Sequence, residues 1–308
     1  MRLPQAIEQY LTLKRSLGFR YRSESKVLRA FGRDLGRIGV GQVRPKPVLA
    51  FLNGRGAVTR NWICKFTALR GFYDFALARG LARRSPLPER APKVVQSFTP
   101  YIYSHQELQR LLQACTPERT KGISADTVGT LVLLLYGAAL RLSEAINLED
   151  ADVDLDERLL YVRCTKFFKT RLVPIGPKLN QVLAEYHGRH PSVGGSNRRF
   201  FRTNKGAPLA SSSVQAIFRS LCLAAEVNRA DGARYQPRLH DLRHSGAVHR
   251  LEAWYREGAN LQVRLVQLSA YLGHASLAGT QKYLTLTPEL DAQASVRFAR
   301  YAWGGDHE

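Results

Sequence analysis

Four short segments of this 308-residue chain carry side chains suited to one kind of chemistry. GAALRLSEAINL holds Arg141 and Glu144, and CTKFFKTRLVPIG holds Lys166 and Lys169. RLHDLRHSGAVH holds His240, Arg243 and His244, and LSAYLGHASLAGTQKYL holds His274 and Tyr283. A DNA phosphodiester is inert because its negative charge repels nucleophiles. Two guanidiniums can grip its nonbridging oxygens and hold the charge that builds up in a pentavalent transition state. A tyrosine can then attack in line, given help in losing its proton, and form a covalent phosphotyrosine. A lysine near the phosphate can protonate the departing oxygen. Taken singly, each residue has a plainer use. Arg141 can pair with Glu144 or Glu149, Lys166 can be a solvated hairpin lysine, and Tyr283 can be half-buried core. His240 and Arg243, one turn apart on one helix face, equally suit capping or an ion pair with Asp241.

The elements that must position these residues are legible from periodicity. Apolar residues at helical spacing predict helices over 3–17, 24–38 and 58–79, the last with Arg60, Lys65 and Arg70 on its outer side. Together they predict a small all-helical bundle with basic outer faces. A proline-rich, aperiodic stretch over 83–101 reads as an interdomain connection. The expected division is residues 1–90, a linker 91–103, and a second domain 104–308. Ser104 with Glu107 forms a capping box that opens a helix over 104–115, followed by helices near 125–137 and 143–148. DVDL, RLLYVRC and TRLVPI are short β-rich runs between 152 and 175, which predict a small antiparallel sheet. Helices resume near 177–188, 211–227, 240–257, 262–272, 276–285 and 288–300. The fold class is therefore mainly α with a small antiparallel β-sheet: an all-helical N-terminal domain followed by an α+β domain.

Charge narrows the partner. Lys plus Arg is 46 against 25 Asp plus Glu, a net charge of +21, which suits a polyanion such as nucleic acid. Residues 1–92 hold 19 basic and 5 acidic side chains, a net of +14, and the remainder carries +7. The N-terminal third therefore reads as a DNA-gripping module and the rest as a more balanced enzyme domain. Cys64, Cys115, Cys164 and Cys222 lie far apart without metal-ligand spacing, which argues against a zinc site and a disulfide framework. The charged, amphipathic N-terminus does not read as a signal peptide, and Val128–Leu142 is too short to span a bilayer. A reduced cytoplasmic protein is expected.

The order Arg, Lys, His-x-x-Arg, His, Tyr resembles the tyrosine recombinase (phage integrase) family, which includes Xer-type recombinases. The resemblance runs over roughly 104–290, and HDLRH followed by LGHASLAGTQKY carries it most specifically. The helical N-terminal module is similar to that family's core-binding domain. The resemblance implies that Arg141 and Arg243 bind the scissile phosphate, that His240 and His274 hydrogen-bond it and assist proton movement, and that Tyr283 is the nucleophile. It also implies that Lys166 is the general acid for the 5′ oxygen, because the family lysine lies five residues before the arginine of the RLVP-like strand, here Arg171. Glu144 matches an acidic position that supports the site. Double-stranded DNA and a homo-oligomer, a tetramer on two DNA sites, are the implied partners. The segment TPELDAQASVRFARYA, with Leu290, Ala294, Phe298 and Tyr301 on one helical face, resembles a tail that packs on a neighbouring subunit. Two departures stand out: Ala138 and Ala139 replace a frequent Thr-Gly, and the stretch from His240 to His274 is longer than usual.

Other readings compete. His240 and His244 with Asp241 mimic a zinc-protease helix, but the acid is Asp where Glu is usual and no third ligand is evident. A recombinase-derived DNA-binding protein without turnover is disfavoured because every matched catalytic position holds a competent residue. A type IB topoisomerase shares the chemistry in outline. Neither metal nor nucleotide cofactor is expected.

Overall fold

Helix α1 (Leu3–Ser16) opens with Pro4 in its first turn, where a missing N–H costs nothing, and buries Leu3, Ile7, Tyr10 and Leu11. Helix α2 (Arg22–Leu35) buries Leu28 and Phe31. Helix α3 (Pro45–Asn53) has no counterpart among the predicted helices, since Pro45 and Pro47 read as punctuation; both lie in its first turn, where proline fits. Helix α4 (Arg60–Ala78) supplies Trp62, Phe66, Leu69, Phe72 and Tyr73 to the same core. The aromatic stripe is thus core, with Tyr10 edge-on to Phe72 and Trp62 stacked on Phe66. Arg60 and Arg70 are exposed, whereas Lys65 turns inward: its Nζ donates to the Phe51 carbonyl at 2.7 Å and lies over the Phe51 ring.

The structure is a computed structural model that describes residues 1–54, 58–93, 99–163, 170–191, 199–233, 235–274 and 276–284. Its chain divides into two units, Met1–Phe98 and Thr99–Glu308. Residues 99–103, expected in the linker, belong to the second unit. Tyr103 is fully buried, its backbone N–H donates to Ser245 Oγ at 2.8 Å, and its hydroxyl donates to the Arg238 carbonyl at 3.0 Å.

Helix α5 (His105–Gln113) begins at the expected capping box, with Ser104 Oγ accepting from the Glu107 N–H and Glu107 Oε2 accepting from the Ser104 N–H. Helix α6 (Ala125–Gly137) buries Leu131, Leu134 and Leu135, and a single turn, α7 (Leu142–Ala145), follows. Strands β1 (Val153–Asp154), β2 (Leu159–Val162) and β3 (Arg171–Pro174) form an antiparallel meander in which Leu160 faces Val173 and Val162 faces Arg171. Helices α8 (Pro177–Arg189), α9 (Ser211–Ala224), α10 (Asp241–Arg256), α11 (Leu261–Leu272) and α12 (Ala278–Gln281) complete the unit. Helix α10 packs directly on α6. A Cβ at Gly246 would lie 2.1 Å from the Tyr136 carbonyl oxygen, so only glycine permits this approach. The mainly helical fold with a small antiparallel sheet is the class the sequence predicts. Among the described residues no helix is long and apolar enough to cross a membrane.

Candidate active site

After α6 the chain turns through Ala139 at φ 48°, a left-handed conformation that costs a residue with a Cβ roughly 1–2 kcal/mol. This turn delivers Arg141 to the start of α7, where Glu144 serves as a clamp. Glu144 Oε2 accepts from the Arg141 N–H at 2.9 Å and Oε1 accepts from Arg141 Nη1 at 2.7 Å. Arg171 of β3 adds a two-pronged pair to the same carboxylate, at 3.1 and 2.9 Å. Glu144 is almost fully buried. Burial by itself would raise its pKa, but the hydrogen bonds and charge of Arg171 and Arg141 hold the carboxyl down at about 2.

The turn after α11 closes on this group. Gly273 sits at φ 64°, its carbonyl accepts from Arg141 Nη2 at 3.1 Å, and a Cβ there would meet the Arg171 guanidinium at 3.0 Å. Arg171 Nε donates to the Tyr271 carbonyl at 3.1 Å, which ties β3 to the end of α11.

The first turn of α10 carries Arg243 and His244, with His240 immediately before it. Arg243 is 2% exposed and donates to the carbonyls of Ala139 and Leu272, each at 2.6 Å. Burial first, then repulsion from Arg141, lowers its pKa to about 10, so it stays charged at neutral pH. Its Nη1 lies 3.9 Å from Glu144 Oε2. Tyr283, just past α12, is also 2% exposed. The Tyr283 hydroxyl is 3.0 Å from His244 Nδ1, and its ring stacks beside His274 at 6.2 Å. His274 Nδ1 in turn bonds Thr280 Oγ1 at 2.7 Å.

The electrostatics follow from this crowding. Burial raises the Tyr283 phenol above its ordinary value, although the charge and hydrogen bond of Arg243 and the charge of Arg141 pull it down. Burial, followed by the charge of Arg243, lowers His240. His274 falls to about 4, from burial and then Arg243 and Arg141. His244 falls to about 3, from burial and then His240 and Arg243. At neutral pH the site therefore holds neutral imidazoles, a protonated phenol, and the guanidiniums of Arg141, Arg171 and Arg243 against the single carboxylate of Glu144. The positive end of α10 adds to that surplus, which is what a phosphodiester requires.

Arg141, Glu144, His240, Arg243, His274 and Tyr283 thus converge, although they come from separate segments. Lys166 and Lys169 lie outside the described residues. Two participants receive no role in the phosphoryl-transfer reading of the sequence. Arg171 enters the sequence argument only as a register mark, yet an arginine within a strand whose neighbour Val173 is fully buried is a signal for an inward ion pair. His244 lies one turn from His240, and their ring centroids are 4.9 Å apart. The Tyr271 side chain is engaged elsewhere: its hydroxyl donates to the Pro174 carbonyl and burial raises its pKa to about 12. Asp241 is held by Arg238, at 2.9 Å from Nη2, and among the described residues no three His, Cys, Asp or Glu side chains group as a metal site.

Known proteins resemble this chain in sequence and in fold. The sequence profile of the phage integrase family matches residues 102–289. The integrase/recombinase y4rE of Sinorhizobium fredii is 34% identical over 301 residues, covering 96% of this chain and 95% of its own. Tyrosine recombinase XerA of Thermococcus kodakarensis is 32% identical over 241 residues, covering 78% of this chain and 76% of its own. In fold, the chain resembles lambda integrase, solved as a dimer bound to a COC' core site. The TM-score is 0.68 at 17% identity, covering 92% of this chain and 77% of that one. A profile matched over more than half of the chain, and a relative aligned along nearly the whole length, place the chain in the phage integrase family of tyrosine recombinases.

Proposed function

We propose that this chain is a site-specific recombinase that cuts and rejoins DNA through a 3′-phosphotyrosine on Tyr283. The observation that carries the reading is the position of the Tyr283 phenol, held beside Arg243 in a site whose guanidiniums outnumber its carboxylates. Arg141 and Arg243 bind the nonbridging oxygens and offset the charge that develops as the Tyr283 oxygen attacks phosphorus. Glu144 and Arg171 hold the Arg141 fork in place. His240 and His274 hydrogen-bond the phosphate. Lys166 protonates the leaving 5′ oxygen, a role that rests on the family resemblance. The phosphotyrosine conserves the energy of the broken ester, so rejoining needs no nucleotide, and arginine charge stands where other enzymes use metal.

The basic N-terminal unit, residues 1–90 in the sequence division, is proposed to grip the duplex along with the catalytic unit. The recombining assembly is proposed to be a tetramer on two DNA sites. The tail helix expected over 288–300 falls outside the described residues, and its exchange between protomers stands as part of the same proposal.

Tyr283→Phe removes one oxygen and tests the centre of this reading. Nicked suicide duplexes tiled across the DNA flanking the coding sequence, incubated in EDTA without nucleotide, should trap the wild-type chain. Mass spectrometry should place the DNA remnant on Tyr283, and Tyr283→Phe should bind the same duplex without being trapped. Tyr271→Phe is the control and should be trapped normally. A remnant on another residue, or a magnesium requirement for trapping, overturns the assignment.

A further inference from the structure

Tyr283 presents a proton-transfer problem that phosphate binding and leaving-group protonation do not solve. Its phenol is buried and protonated at neutral pH, and a protonated phenol is a poor nucleophile. Some group must take that proton as the oxygen closes on phosphorus. The acceptor must lie within hydrogen-bond reach and must begin the reaction neutral.

The neighbours of the phenol divide cleanly by this test. Arg243 hydrogen-bonds it but is already a cation, as is Arg141. A guanidinium stabilises a phenolate without accepting its proton. His274 stacks along the ring, with its Nδ1 committed to Thr280 Oγ1 at 2.7 Å. His240 meets the His244 ring edge-on, with centroids 4.9 Å apart. His244 has a ring nitrogen on the hydroxyl itself, Nδ1 at 3.0 Å from Tyr283 Oη.

The position is built rather than incidental. His244 follows Arg243 directly, so the helical turn that sets the Arg243 fork against the Ala139 and Leu272 carbonyls also fixes the imidazole. The adjacent Ser245 and Gly246 anchor that turn, Ser245 Oγ accepting from the Tyr103 N–H and Gly246 lying against the Tyr136 carbonyl. A hydroxyl donating to Nδ1 requires the tautomer with its proton on Nε2.

We propose that His244 is a further catalytic residue, whose Nδ1 accepts the phenolic proton of Tyr283 during strand cleavage and returns it during rejoining. This rests on the reading of Tyr283 as the nucleophile. In cleavage the Oη–P bond forms, the P–O5′ bond breaks, the Oη proton passes to His244 Nδ1, and the 5′ oxygen takes a proton from the general acid. In rejoining the 5′ hydroxyl attacks phosphorus, its proton returns to that acid, the Oη–P bond breaks, and Oη recovers its proton from His244. The groups that face His244 are His240, Arg243 and Arg238 from α10 and the residues before it, His274 from the turn after α11, and Tyr283 from the end of α12. Burial first, with the charges of Arg243 and Arg238 behind it, keeps the imidazole neutral in the free chain. A phosphodiester seated on Arg141 and Arg243 offsets their charge and makes the imidazole more basic when the proton arrives.

The full-length chain and the same tiled suicide duplexes provide the test, read as the single-turnover rate constant of covalent-complex formation. His244→Asn keeps a hydrogen-bond acceptor near the Nδ1 position but cannot carry the proton. It should bind duplex like the wild type and form the complex about 10²–10⁴-fold more slowly. His244→Ala should lose a similar factor and regain rate with added imidazole, in proportion to the neutral form as pH is varied. A wild-type rate in His244→Asn overturns the proposal, as does His244→Ala rescued by no imidazole while folded by circular dichroism. Tyr283→Phe, run in parallel, separates the two ideas: a covalent complex in that variant removes the nucleophile assignment itself, whatever His244 does.

Discussion

The first unit fills its core with side chains that carry no charge: Tyr10, Phe31, Trp62, Phe66, Phe72 and Tyr73 stand among leucines and valines. Among the described residues it buries no ionised side chain. The second unit buries Asp152, Asp241 and Arg243 outright and nearly buries Glu144, and it sets neutral imidazoles around a buried phenol. Burying charge is expensive unless every partner is supplied, and an apolar replacement of similar shape is often as stable. The second unit therefore holds an arrangement that stability alone does not call for, and it holds it where the reacting groups meet.

Crossed substitutions give the largest test of that contrast. Phe72→Ala should lower stability by about 3–5 kcal/mol through the cavity it leaves. In whatever fraction remains folded, the rate constant of strand cleavage should be little changed. Arg243→Ala should lower that rate constant by about 10²–10³-fold for each hydrogen bond to the transition state that it removes. Stability by chemical denaturation and single-turnover cleavage, measured on both variants, separate the two behaviours. A Phe72→Ala chain that is fully folded yet slow to cleave breaks the contrast.

Acid should divide the units next. Of the eight histidines, none lies within residues 1–98. His244 at about 3 and His274 at about 4 are both depressed below the ordinary 6.5, and His240 is depressed as well. The unfolded chain then binds protons first, so their contribution is present above the unfolded value and is lost as pH falls from 6.5 toward those folded values. Glu144, held at about 2, adds a second loss as pH falls from 4.5 toward 2. Hydrogen exchange on the full chain between pH 6.5 and 4.5, corrected for intrinsic rates, should show protection falling in α10 and α11 and holding in α1, α2 and α4. Equal loss in both units contradicts the assignment of buried neutral imidazoles.

Salt gives a smaller and more local effect. The exposed Arg60 and Arg70 of the first unit are proposed to meet DNA phosphates. Changing both to Gln should weaken binding and reduce the salt slope of log K by about 2, since each neutralised phosphate contributes about 0.9. Cleavage by the bound complex should be unaffected, which fluorescence anisotropy and single-turnover kinetics check together. An unchanged slope places the DNA-facing surface elsewhere.

These contrasts also explain what the sequence disclosed. Helices such as 125–137 are legible because apolar spacing and caps state them locally. Helix α3 is not, because Pro45 and Pro47 announce an interruption unless one knows that they fall in a first turn. The end of the linker is hidden for a different reason: Tyr103 is held by Ser245 and Arg238, more than a hundred residues away. The Arg, His and Tyr candidates stand out by type and order, and the structure brings those it describes together. His244 and Arg171 draw no role from the sequence alone, because each acquires its meaning from a partner on a distant segment.

The smallest effect concerns backbone strain, and it should differ in size between the units. Tyr21, at the start of α2, and Ala139, before Arg141, both hold positive φ, 44° and 48°. Tyr21 is compensated by its own side chain: the hydroxyl bonds Tyr10 Oη at 2.9 Å and the ring packs edge-on at 5.8 Å. Ala139 offers a buried methyl group, and its strain is offset through a backbone carbonyl that any residue would present to Arg243. Glycine adopts this conformation without strain but loses more entropy on folding, by roughly 0.5–1 kcal/mol. Relief of roughly 1–2 kcal/mol of left-handed strain outweighs that loss at Ala139. Loss of the buried methyl costs roughly a further 0.8 kcal/mol, so Ala139→Gly should leave stability within about 1 kcal/mol of the wild type and cleavage unchanged. Tyr21→Gly gains the same relief but forfeits an aromatic pair worth about 0.5–1.5 kcal/mol, a hydrogen bond and apolar burial, so it should destabilise. Denaturant midpoints of the two variants decide the matter, and a stabilising Tyr21→Gly would mean that the first unit carries strain its packing does not repay.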